Sequence, residues 1–191
     1  MLRPADRPEP VVSTARLALR YPSPEDYAAW TSLRAQSREF LVPWEPTWPE
    51  DELTRTAFRR RLRLYLRAIK AEDAHPLFVT RRSDHRLIGG LTLSNIRRGV
   101  TQSCALGYWI GQPFASQGYM GEAVRGAIRY AFRDLGLHRI EAATLPANEP
   151  SRRLLLRCGF KEEGYARRYL KINGAWQDHV LFALVESDPW G

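Results

Sequence analysis

The sequence predicts a single α/β domain built on one mixed sheet, and three observations predict it. Strand-like segments alternate with amphipathic helical ones along the chain. One strand, Ser103–Ile110, runs through a glycine-bearing loop, Gln117-Gly118-Tyr119-Met120-Gly121, into a helix. Near the end, Asn173-Gly174 separates two further strand-like segments, the strongest short-range hairpin signal a sequence carries. At 191 residues the chain has the length of one domain with a substantial core, and it shows no internal repeat.

Each element follows from its residues. Arg16–Tyr21 alternates as a half-buried strand does. Ser23-Pro24-Glu25-Asp26 starts a helix, with serine at the cap, proline in the first turn and acids behind it, and that helix is expected to reach about Arg34. Pro43, Pro46 and Pro49 exclude both a helix and a central strand from 41–49. A longer helix is expected over 49–71, with Phe58, Leu62, Tyr65, Leu66 and Ile69 as its apolar stripe. Segments 77–81, 87–95 and 103–110 read as strands. The helix after Gly121 buries Ala123, Val124, Ala127, Ile128 and Ala131 and ends at Gly136. Segment 139–145 is the next strand, 151–157 a short helix closed by Gly159, and 165–172 with 175–184 the hairpin. Residues 1–14, prolines among charges, read as a flexible lead-in, which leaves 15–188 as the domain.

Composition narrows the function classes. An apolar share of 44% and a charged share of 26% are those of an ordinary globular protein. The lead-in lacks the apolar core of a signal peptide, and the longest apolar run, 180–185, is far short of the ~20 residues that span a bilayer. A soluble, cytoplasmic protein without membrane contact is expected. Cys104 and Cys158 lack metal-like spacing and His75, His85, His138 and His179 are scattered, so no metal site is expected and both thiols should be reduced and packed. The net charge is +8, and of 29 basic residues only Lys70, Lys161 and Lys171 are lysines. Such a surface attracts phosphate groups, although a GC-rich genome would produce the same arginine bias. Arg59-Arg60-Arg61 with Arg63 and Arg67 fits either a weak ribosomal RNA contact or a solvated helix face, and no RNA-binding motif accompanies it.

The strand–loop–helix through Gly118 presents backbone N–H groups and the positive end of a helix dipole, which suits a polyphosphate. A plain glycine turn would look the same. Thirty residues past Gly118 come Asn148-Glu149-Pro150-Ser151 and then Leu154-Leu155-Leu156-Arg157-Cys158-Gly159-Phe160. With Ala105-Leu106-Gly107-Tyr108-Trp109-Ile110, these segments resemble the two main signatures of the GNAT acyltransferases, from Arg16 onward. The resemblance implies a mixed, mostly antiparallel sheet with splayed central strands and about four helices. It implies acetyl-CoA as co-substrate and no metal. Tyr108, Trp109 and Ile110 would offer backbone groups to the pantetheine arm, and Gln117, Gly118, Tyr119, Met120 and Gly121 would cradle the pyrophosphate. Ala115 and Met120 depart from the family's loop pattern. Asn148 would reach the pantetheine or the acceptor, or be a simple turn residue.

The family's usual acid is a tyrosine seven residues after that asparagine, and here Leu155 stands there. Ser151 is the nearest replacement as donor to the departing thiolate, unless it only caps its helix. No nucleophile–base signature is present, which agrees with direct transfer. Within the family the chain resembles the RimJ/RimL group, in Leu106-Gly107-Tyr108, Ile110-Gly111-Gln112, His138-Arg139-Ile140, Glu163-Gly164-Tyr165-Ala166 and Asp178-His179-Val180-Leu181. Its tail is similar to the RimJ branch. The implied acceptor is the N-terminal α-amine of an alanine-starting ribosomal protein. Glu45 is the candidate to hold that ammonium, with Glu141 and His179 as other acid–base candidates and Trp44 and Trp48 as groove walls. Each also has a plain structural reading. A small-molecule amine such as a polyamine or aminoglycoside is an alternative acceptor, and a non-catalytic acetyl-CoA-binding ribosome-assembly factor an alternative function. A monomer or homodimer is expected.

Overall fold

The computed structural model describes residues 9–190. Eight strands form one sheet in the order β1-β2-β3-β4-β5-β6-β8-β7. They are β1 (Val12–Ser13), β2 (Leu17–Arg20), β3 (His75–Arg81), β4 (Leu87–Arg97), β5 (Ser103–Ile110), β6 (Arg139–Thr144), β7 (Lys161–Ile172) and β8 (Ala175–Val185). Every neighbouring pair is antiparallel except β5 with β6. Five α-helices accompany them: α1 (Tyr27–Gln36), α2 (Arg38–Leu41), α3 (Arg55–Lys70), α4 (Tyr119–Arg129) and α5 (Glu149–Arg157).

The helices divide between the two faces of the sheet. A Cβ on Gly90 would meet the Trp109 indole, whereas one on Gly89 would meet Met120 of α4. Adjacent strand residues point to opposite faces. Trp109 lies under Arg34 of α1, and Trp30 of α1 packs on Phe58 of α3. So α1 and α3 cover one face, and α4, in contact with α5, covers the other. The apolar positions expected of α4 (Ala123, Val124, Ala127, Ile128 and Ala131) are all buried. Asn173 and Gly174 turn the β7–β8 hairpin with positive φ at both residues, +44° and +83°, the conformation that twists with its strands.

Several boundaries differ from expectation, three of them for a plain local reason. Residues 1–8 of the expected lead-in lie outside the described residues. Its remainder is not a lead-in throughout, because Val12–Ser13 pairs with β2 and Val12 packs against Gly126 of α4. The long helix starts at Arg55 and not at Pro49, since Thr54 caps it by accepting from Ala57 N at 3.2 Å. Within 41–49, Val42–Trp44 forms one 3₁₀ turn, which Pro43 permits in its first turn.

Candidate active site

The centre of the sheet is open. β5 pairs with β4 from Ser103 to Ile110, but its parallel pairing with β6 covers only Ser103↔Arg139, Cys104↔Ile140 and Ala105↔Glu141. β6 continues to Thr144 with its other edge on β8. Beyond Ala105 and Glu141 the two strands are sheet neighbours without a ladder between them. Gly111 N donates to Ile88 O at 2.9 Å, which sets the phase of the β4–β5 ladder. Alternation then commits Gly107 and Trp109 to β4 and turns the N–H and C=O of Leu106, Tyr108 and Ile110 into the gap. An extended ligand with its own amides can pair with such an edge as an added strand does. The phase corrects the expected set of three consecutive residues. Tyr108 and Ile110 face the gap through their backbone, and Trp109 does not.

At the top of β5 the chain passes to α4 through Gly118, the N-cap, at φ +77°. The left-handed conformation there costs any L side chain roughly 1–2 kcal/mol and costs glycine nothing. The first ladder bond of α4 runs from Glu122 N to Gly118 O, so the N–H groups of Tyr119, Met120 and Gly121 lie outside the ladder. Met120 is buried against Gly89, which accommodates a large side chain where the family pattern has a small one. The one acid of the first turn is drawn aside. Glu122 accepts from Thr14 Oγ1 and Arg16 N and ion-pairs with Arg16 Nε at 2.6 Å. Burial pushes its carboxyl up, but these donors outweigh burial and hold it below the usual range. The Arg16 guanidinium also donates to Gln117 O at 3.2 Å, and the Gln117 side chain donates to Pro113 O at 2.8 Å.

Asn148 and Ser151 stand where the chain leaves β6 for α5. Asn148 is the N-cap, its Oδ1 accepting from Ser151 N at 3.2 Å. This corrects the expected placement of Ser151 as the cap: it sits inside the first turn with its hydroxyl free for another partner. That partner is Tyr108, whose hydroxyl lies 2.7 Å from Ser151 Oγ. Burial pushes the Tyr108 phenol up to about 12. Leu155, at the position of the family's usual acid, is wholly buried. Both cysteines are buried free thiols, and burial raises Cys104 to about 12.

On the opposite face a cluster of charges and indoles surrounds Arg34. Its guanidinium pairs with both Glu45 oxygens, at 3.1 and 2.6 Å, and reaches Glu52 at 3.7 Å. It lies over Trp48 at 4.2 Å, Trp109 at 5.2 Å and Trp30 at 5.7 Å. Trp48 Nε1 donates to Glu45 at 2.7 Å, Arg61 pairs with Glu52 at 2.5 Å, and the hairpin tip reaches over through Asn173 N to Glu45 O at 2.9 Å. Glu45 is therefore a held carboxylate in a built cluster, and only 6% of Arg34 is exposed. Trp48 is buried in the cluster, whereas Trp44 is exposed. Arg34 escaped the sequence reading, although a charge four residues after Trp30, on the helix face that also buries Leu33, was a legible signal.

The remaining candidates lie elsewhere. Glu141 is ion-paired with Arg139 at 2.9 Å, and His179 is buried with Nδ1 donating to Gln177 O at 3.0 Å. Of the α3 arginines, Arg60 and Arg61 are tied to Asp51 and Glu52. Among the described residues no helix is long and apolar enough to cross a membrane, and no group of three or more His, Cys, Asp or Glu could hold a metal ion.

An open parallel seam beside a left-handed glycine at a helix N-terminus defines a class. The chain matches the family model described as the acetyltransferase (GNAT) domain over residues 16–161. It belongs to the GNAT acetyltransferase family and is an acetyl-CoA-dependent acyltransferase. It is 38% identical over 181 residues, 95% of this chain and 93% of the relative, to the ribosomal protein uS5 alanine N-acetyltransferase of Escherichia coli K12. Among solved structures it is similar to Mycobacterium smegmatis RimJ in complex with CoA-disulfide, at 32% identity and TM-score 0.84, over 89% of this chain and 82% of that one. The ribosomal-protein-S5-alanine acetyltransferase of Vibrio fischeri matches at 31% identity and TM-score 0.84, over 94% and 97%.

Proposed function

We propose that this protein transfers acetyl from acetyl-CoA directly to the N-terminal α-amine of a protein, with an alanine-starting ribosomal protein as acceptor. The open β5–β6 seam carries the reading, because it joins a backbone-lined gap and a helix N-terminus to a side-chain cluster on the opposite face. The relative that acetylates an alanine of uS5, alike over 95% of this chain, supports the choice of acceptor. In this reading Tyr108 and Ile110 offer main-chain groups to the pantetheine amides. The N–H groups of Gln117, Gly118, Tyr119, Met120 and Gly121 hold the pyrophosphate, and Asn148 flanks the arm at the mouth of the gap. Work on ribosomal proteins implies a cytoplasmic location.

An α-amine has a pKa of ~7.7–8.0 against ~10.4 for lysine, so a useful fraction is free base near neutrality without a strong general base. Attack on the thioester carbonyl forms the C–N bond and an oxyanion, for which Ile110 N–H is the donor. Collapse breaks the C–S bond, and Ser151 Oγ donates to the sulfur that leaves. Glu45, oriented by Arg34, receives the peptide ammonium before it sheds its proton. The test is CoA release with an alanine-starting peptide beside its Nα-blocked twin. Turnover on the free peptide alone is expected. Equal turnover on both, or none on either while acetyl-CoA binds, would overturn the α-amine assignment.

A further inference from the structure

The catalytic reading assigns Tyr108 only its backbone and leaves its hydroxyl without a task. That hydroxyl is half-buried, belongs to the strand on one bank of the gap, and meets a residue of the helix on the other bank. The Tyr108–Ser151 contact is thus a side-chain bridge over a seam where the main-chain ladder has stopped. Either hydroxyl can donate across this contact, and the phenol, the far stronger acid, is favoured as the donor to Ser151 Oγ. Burial keeps the phenol protonated across the physiological range, so the bridge does not break by ionisation.

We propose that Tyr108 is a positioning residue for Ser151: its hydroxyl donates to Ser151 Oγ, which aims the serine proton into the gap and strengthens it as donor to the CoA sulfur. A serine that already accepts from one side is polarised to donate on the other, since hydrogen bonds in a chain strengthen one another. The contact also fixes the serine rotamer, which its short side chain alone does not. When the C–S bond breaks, its electron pair goes to sulfur, and the proton shed by the amine balances the one that sulfur takes up. Tyr108 gives up no proton and returns unchanged.

The proposal rests on the acetyl-transfer reading for the place of the sulfur, so its test includes a measurement that needs no acceptor. Tyr108→Phe removes the donor and keeps the ring. With the alanine-starting peptide, the expectation is a kcat lowered about five- to tenfold, the loss of one modest hydrogen bond, with KM for acetyl-CoA within about twofold. Ser151→Ala should lower kcat by more, and adding Tyr108→Phe to it should cost nothing further, because Tyr108 acts through the serine. Without acceptor, the thiol of bound CoA, titrated by its ultraviolet thiolate absorbance, should have its pKa raised by Tyr108→Phe and by Ser151→Ala to the same side. Additive losses in the double variant, an unchanged kcat, or a raised KM with kcat intact would each overturn the relay. If no peptide is acetylated but the thiol titration shifts as stated, the relay stands and the acceptor assignment falls.

Discussion

The two sides of β5 are built on different principles. On the α4 face and along the gap, the open polar groups come from the main chain: the edges of Tyr108 and Ile110, and the N–H groups that follow Gly118. On the α1 face they come from side chains, with Arg34, Glu45, Glu52 and Arg61 neutralising one another beneath Trp30, Trp48 and Trp109. The first region keeps its donors unspent and waits for a partner. The second holds its charges in fixed mutual pairs and offers a preformed surface. Affinity held in backbone groups tolerates side-chain change but not a change of backbone conformation. A surface held in paired charges is sensitive to the loss of any one partner.

The largest expected effect tests the second region. Arg34→Met leaves buried Glu52 and half-buried Glu45 beside a single remaining cation, and breaking a buried pair costs about 3–5 kcal/mol. Urea unfolding should show that loss as a lower midpoint at unchanged slope. A loss under about 1 kcal/mol would mean the cluster is not prebuilt, and the contrast between the faces would fail.

Next is the backbone rule. Gly118→Val forces a β-branched residue into the left-handed region and should raise KM for acetyl-CoA about tenfold, the worth of ~1.4 kcal/mol. KM for the acceptor peptide should stay put. Gln117→Ala, one position earlier, removes a side chain held by Pro113 O and should change KM less than about twofold if the main chain does the binding. Equal effects from the two would assign the affinity to side chains.

A smaller effect comes from Asn148→Ala, which removes the α5 cap and should lower stability by about 1 kcal/mol, read as a drop in Tm. A fall in kcat beyond that accounted for by unfolding would place the Asn148 side chain in the gap.

The smallest is a control outside both regions. His75 is buried with Nδ1 2.6 Å from the Tyr21 hydroxyl, and burial lowers its pKa, with the Arg98 charge adding to this and Glu72 opposing it. A histidine held neutral in the fold binds fewer protons there than in the unfolded chain. Its contribution is complete above the ordinary pKa of about 6.5 and is lost as pH falls below it. Thermal unfolding should show that decline in the wild type and a flatter profile in His75→Asn. Acetyl-CoA binding above pH 7 should be unaffected.

Local chemistry made much of this readable in advance. Asn173-Gly174 has one favoured hairpin geometry, Gly118 occupies a conformation few residues accept, and the apolar period of α4 leaves one face to bury. These are properties of a few neighbouring residues, so sequence alone determined most strands, the bodies of the long helices, the hairpin and the left-handed loop before α4. Tertiary structure alone decided how far β5 and β6 stay paired, because a register is a relation between segments more than thirty residues apart. It decided which alternate backbone groups face the gap, since a one-residue change of phase would exchange Trp109 for Tyr108. It moved the cap from Ser151 to Asn148 and so freed a hydroxyl for Tyr108. And it gathered Arg34, Glu45, Glu52 and Arg61 from two helices and the segment between them, since buried charges hold only where opposite partners meet, and that meeting is made by the fold.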